Sequence, residues 1–127
     1  MVYTALGQTE DAIAVRRQAV QLVERQIDIS PEDARALYLG AQSLATLGQK
    51  ERARQWAERA LSIDPEDTAV LYNVACAYSL LGESDRAIDC LEKTLAYGEW
   101  FKGWAEHDPD LDPLRKNPRF PALLKTL

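Results

Sequence analysis

Ser30-Pro31-Glu32-Asp33 recurs as Asp64-Pro65-Glu66-Asp67, so that position n returns at n+34. The same shift carries Leu37 onto Leu71, Tyr38 onto Tyr72, Ala41 onto Ala75, Leu47-Gly48 onto Leu81-Gly82 and Ala53 onto Ala87. A fixed period of this size means a supersecondary unit that cannot bury its apolar face alone and does so by stacking on its neighbours. The period therefore decides the architecture before any local pattern is consulted.

Each unit has a readable local mechanism. Ser30 and Asp64 read as helix N-caps, with Pro31 and Pro65 at the first helical position, where a missing N–H costs nothing. Gly48 and Gly82 read as helix stops, since a left-handed residue is easiest for glycine. After Gly48 a second amphipathic helix is predicted, with Ala53, Trp56, Ala57, Ala60 and Leu61 on one face. Ala87, Ile88, Leu91 and Leu95 do the same after Gly82. Small alanines at matched positions let neighbouring helices approach closely.

These residues resemble the tetratricopeptide repeat (TPR) family, whose units are helix–turn–helix pairs repeating every roughly 34 residues. One copy matches with Leu37, Gly40-Ala41, Leu44, Ala53, Ala57, Ala60 and Pro65, the next with Leu71, Val74-Ala75, Tyr78, Ala87 and Leu91. The second departs from the pattern at Thr94, where Ala is usual, and at Glu99, where Pro is usual. The resemblance implies an all-α, right-handed superhelical solenoid of antiparallel helix pairs with a short C-terminal cap. It divides a single domain, 1–127, into a partial repeat (1–29), two repeats (30–63 and 64–98) and a capping segment (99–127). In such arrays the first helix of each pair lines a concave groove that binds a peptide or partner surface. The inward positions carried over are Arg35, Tyr38 and Gln42, then Ala69, Tyr72 and Cys76, with Asn73 beside them. Two roles are open to Tyr38 and Tyr72: contact with a partner, or packing between helices. Some family members grip a peptide carboxylate with paired Lys, Arg and Asn; Asn73 matches one such position, but the lysines are missing.

The two ends differ from the middle. Gly7 and Ala12 resemble Gly48 and Ala53 at a spacing of 41, seven more than the repeat, and seven residues rotate a helical stripe by only about 20°. The expectation is a first helix ending at Gly7, then a long helix from Thr9 to Asp28 with Ile13, Val20, Val23 and Ile27 on one buried face. The chain would then begin inside the last turns of a first helix, leaving part of that stripe to be covered by an upstream repeat or by a neighbouring copy, as a homodimer through the N-terminal edge. At the other end Leu111, Leu114, Phe120, Leu123 and Leu124 would cap the last pair; Trp100, Phe101 and Trp104 are expected to pack in that cap, an exposed ligand platform being the alternative. Asn117-Pro118 is expected to open a short helix to Leu124. Residues Trp104–Arg115, with Pro118-Arg119-Phe120, are similar to a terminal segment of TPR regions in bacterial multidomain signalling proteins, including serine/threonine kinases and nucleotide cyclases.

Composition narrows the function classes. Fifteen Lys plus Arg against twenty Asp plus Glu give a formal net charge of −5. That balance disfavours nucleic acid, whose phosphates need a basic face. No apolar run is long enough for a membrane span and no signal sequence opens the chain, so a cytoplasmic protein is expected. Asp108, Asp110 and Asp112 have the spacing that opens a calcium loop, but Pro113 and Arg119 stand where that loop needs Gly and Glu. Capping and turn formation explain them better. One His, two Cys outside any Cys-x-x-Cys pattern, and no phosphate loop or nucleophile elbow point away from a metal, a cofactor or catalysis. Arg52, Arg54 and Arg59, interleaved with Glu51 and Glu58, read as a solvated, ion-paired face. The expected function is a non-catalytic protein-interaction module, or alternatively a structural, self-associating one.

Overall fold

The computed structural model describes residues 2–97 and 100–125, with side chains described for 10–97 and 103–125. The elements are α1 (Val2–Ile29), α2 (Ala34–Thr46), α3 (Lys50–Ile63), α4 (Thr68–Leu80), α5 (Ser84–Ala96), α6 (Trp100–His107), a 3-10 segment (Pro109–Leu114) and α7 (Arg119–Lys125). No strand occurs among the described residues. The pairs α2/α3 and α4/α5 are the two repeats, and α4 packs on both helices of the preceding pair. The core follows the repeated small and large residues: Leu37, Ala41, Leu44, Ala53, Ala57 and Ala60 in one unit, Leu71, Val74, Ala75, Ala87, Ile88 and Leu91 in the next. Thr94, which replaces the usual alanine, is buried with its hydroxyl donating to the Cys90 carbonyl, so no polar atom is stranded.

Both inter-helix stops stand where the glycines are, at φ of 82° for Gly48 and 80° for Gly82. The starts are displaced by three positions from the expected ones. Asp33 and Asp67, not Ser30 and Asp64, cap α2 and α4, their carboxylates accepting from the Ala36 and Val70 amides. Ser30-Pro31-Glu32-Asp33 is a turn closed by the Asp33 amide donating to the Ser30 carbonyl, and Asp64 ends α3. A proline in such a turn has no amide to satisfy, which the first helical position would also have offered.

The N-terminal unit also departs from expectation. No turn forms at Gly7; α1 runs unbroken for 28 residues. Continuing through a glycine costs only about 1 kcal/mol.

The C-terminal segment takes the place of a third pair. The 3-10 segment packs on α4 with Leu111 and Leu114 fully buried, and Phe120 of α7 is buried under the Arg115 guanidinium, 5.6 Å from its ring centroid. Leu123 and Leu124 are half-buried against the same core. Asn117 accepts from the Arg119 amide and opens α7 as anticipated. Trp100 and Phe101 lie outside the described side chains.

The second helices are tied by a periodic ladder: Glu24–Arg52 at 3.1 Å, Glu58–Arg86 at 3.0 Å and Glu92–Arg119 at 3.1 Å. The three glutamates follow one another at the repeat period. Arg119 therefore supplies from α7 what the second helix of a further repeat would supply. These pairs are exposed and worth little individually; their content is register. Arg54, half-buried, pairs with Glu51 and Glu83 as expected of the arginine cluster, while the exposed Arg59 donates to the Pro31 carbonyl.

Candidate functional site

The first helices α2 and α4 lie side by side and carry the positions expected to face inward. Over α2 they are partly open: Arg35 is exposed and Gln42 half-buried, while Tyr38 is buried. The Gln42 amide donates to the Asn73 carbonyl at 3.0 Å and to Asn73 Oδ1 at 3.1 Å, and Asn73 Nδ2 donates to the Ala69 carbonyl. Asn73 is therefore engaged in tying the two repeats together.

Over α4 the inward positions are covered by the chain itself. Asp108 caps the 3-10 segment through its Oδ1, which accepts from the Asp110 amide. Its Oδ2 accepts from the Tyr72 hydroxyl at 2.9 Å and, at 3.8 Å, from the Cys76 thiol. Beside it the Ser79 hydroxyl donates to the Asp110 carbonyl at 2.7 Å. Tyr72 and Cys76 are thus buried at 5% and 2% exposure rather than open to a partner. The same Asp-Pro pair that opens the turn at Asp64-Pro65 opens this segment at Asp108-Pro109, and that recurrence is the signal the sequence offered.

The electrostatics match this arrangement. Burial, followed by the hydrogen bond to Asp108, raises the Tyr72 hydroxyl well above its usual range. Burial, with Asp108 and Asp110 adding, does the same to the Cys76 thiol. Burial, then the neighbouring Asp108 charge, raises the Asp110 carboxyl, which Arg16 of α1 partly offsets. The ligand atoms of Cys76, Asp108 and Asp110 lie within 4.8 Å of one another. Burial keeps the Cys76 thiol neutral, and Asp108 spends both oxygens on its neighbours.

Trp104 departs from the packing expected of it. It stands 57% exposed at the edge of this covered region, edge-on to the Tyr72 ring with centroids 6.0 Å apart and an interplanar angle of 70°. With Gly103, His107 and Asp108 it lines a shallow hollow. Beside the Gln42–Asn73 tie the covered region thus ends in an exposed indole held against a buried tyrosine.

The stripe assigned to self-association is divided. Val20 and Val23 are buried against the core, Ile27 is half-buried on it, and Ile13 is 38% exposed. The open apolar side chains of α1 lie on a different stripe, Val15, Leu22 and Ile29. A groove of about 380 Å³ separates α1 from α2, with Leu22, Val23, Ala36, Leu39 and Arg35 among its lining residues.

Among the described residues no helix is long and apolar enough to cross a membrane. Comparison with curated proteins finds no match. The tetratricopeptide repeat family matches over residues 2–68 and again over residues 56–89. Such repeats are in general protein–protein interaction modules rather than enzymes. By its period, its stacked antiparallel helix pairs and these matches, the chain belongs to the tetratricopeptide repeat family.

Proposed function

We propose that the chain is a non-catalytic interaction module that takes a peptide or partner surface on its inner face, between Arg35 and Trp104. The single observation that carries this is the indole of Trp104, which a buried tyrosine orients while more than half of it stays in solvent. A rigid aromatic with two rotatable bonds offers large contact area at small entropic cost, and Trp and Arg are the residue types enriched at binding hot spots. Tyr72 acts here as the support of that indole, and Gln42 with Asn73 fixes the spacing of α2 and α4.

The test is selection of binding peptides from a random library, followed by calorimetric titration into wild type and Trp104→Ala. The expected result is saturable binding that weakens about thirtyfold in the variant, the equivalent of a hot spot of roughly 2 kcal/mol. Peptides that bind Trp104→Ala equally well, or a selection that returns none, count against the inner face.

A second reading, self-association at the N-terminal edge, is favoured by the exposed Val15, Leu22 and Ile29 of α1, at 62%, 63% and 79%. Apolar side chains left open in one row are more informative than isolated ones.

A further inference from the structure

Helix α1 carries two apolar stripes. The inner one, Val20, Val23 and Ile27, is seated on the core. The outer one recurs at every seventh position as Val15, Leu22 and Ile29, and the small Ala12 and Ala19 precede Val15 and Leu22 by three residues each. Alternating steps of three and four along a straight helix are the seam of a two-helix coiled coil.

The repeat itself shows what belongs on that seam. One repeat period carries Leu22 onto Trp56. Trp56 is buried against Gly40 of α2, the antiparallel helix of its own pair, with Val23 close by. Among the described residues no helix takes the corresponding place against α1. The open place therefore fits an antiparallel helix that offers small residues opposite the large ones of α1.

We propose that this helix is α1 of a second copy, paired antiparallel about a two-fold axis close to Arg17. This specifies the self-association reading above and rests on it. In that register Ala12 lies opposite the partner's Leu22 and Val15 opposite the partner's Ala19, so each large side chain meets a small one. The free flank of the seam carries Asp11, Gln18 and Arg25. The same register sets Asp11 opposite the partner's Arg25 and Gln18 opposite the partner's Gln18. Asp11 and Arg25 form no ion pair within the chain among the described residues, so each brings an uncommitted charge to the contact. The other flank belongs to the chain's own body: Val23 is buried, and Arg16 acts on Asp110. A parallel pair would have to lay one copy's free flank on the other's covered one. An antiparallel pair places both copies of α2 on the same side, with Leu39 and the groove beneath the seam. A two-fold contact of this kind closes on itself.

The test is light scattering and sedimentation across a hundredfold concentration range. Wild type is expected to rise from the mass of one chain to that of two. Leu22→Glu is expected to move the midpoint up at least tenfold while leaving the melting curve of dilute protein unchanged, since the side chain is already in solvent. Asp11→Arg and Arg25→Asp are each expected to weaken association several-fold, and the double exchange to bring it back near wild type. A chain that stays monomeric throughout overturns both this proposal and self-association. A dimer indifferent to Leu22→Glu overturns the seam while leaving self-association through another surface. A double exchange that fails to recover overturns the antiparallel register.

Discussion

Gly40→Ala tests the packing rule on which the array rests. A Cβ built at Gly40 falls 2.5 Å from Trp56 Cε3 and 2.9 Å from Val23 Cγ1, closer than such atoms come. The ring has little freedom to retreat, being only 8% exposed, with the Arg52 guanidinium 5.2 Å from the ring centroid. Alanine in a helix interior is favoured over glycine by about 1 kcal/mol. Overpacking of a filled core costs roughly 1–3 kcal/mol. The expected net is a loss of about 1 kcal/mol, a drop of roughly 4 °C in Tm for a domain of this size. Urea unfolding at constant slope is the assay. A double-mutant cycle with Trp56→Leu should show the two substitutions coupled, Gly40→Ala costing less when the ring is gone. A Gly40→Ala protein as stable as wild type or more so would refute the close contact of α2 with α3.

Asp33→Ala and Asp67→Ala should each cost about 1 kcal/mol in the same assay, since each removes the acceptor of a helix's first free amides, whereas Ser30→Ala should be nearly neutral. Phe120→Ala should cost roughly 3–5 kcal/mol, a large share of a total of about 5–15, because the ring is 1% exposed beneath the last repeat; an unchanged melting curve would show that α7 does not cap the array. Asp110 and Asp33 should move stability in opposite senses with pH. Burial raises the Asp110 carboxyl above 3.8, so folded protein holds its proton more tightly and gains stability as pH falls through the raised value. Asp110→Asn should therefore be more stable than wild type at pH 7, and that advantage should vanish once the carboxyl is protonated in both states. The Ala36 amide holds Asp33 below 3.8, so its contribution is present at neutral pH and lost as pH falls through the lowered value. Equal acid sensitivity of wild type and Asp33→Ala would contradict this.

The middle of the fold was legible in the chain because its determinants are local and repeated. Gly48 and Gly82 stop their helices, and Ala53, Ala57 and Ala60 line a face that any helical period reveals. The helix starts differ from expectation because Ser-Pro-Glu-Asp and Asp-Pro-Glu-Asp offer a capping oxygen at each end, and the later one accepts from the helix amides. Helix α1 has two apolar stripes at nearly the same period; α2 decides which faces in, and nothing local records that choice. Of the two roles open to Tyr72, packing agrees with its burial, and the inward position of Cys76 is covered as well; both covers come from Asp108, 36 residues from Tyr72 in sequence, which no local pattern reveals. Glu24, Glu58 and Glu92 stand at the repeat spacing, but Arg119 follows Arg86 by 33 residues and Phe120 occupies the periodic position, so the period alone does not place α7 as a second helix.

The most direct measurement is an amide chemical-shift map of the isotopically labelled chain, titrated with a library-selected peptide. The perturbed amides are expected on α2 and α4, with the Trp104 indole resonance moving in step and no comparable change on the outer faces of α3 and α5. Perturbation confined to those outer faces, with a stationary Trp104 indole, would contradict binding on the inner face.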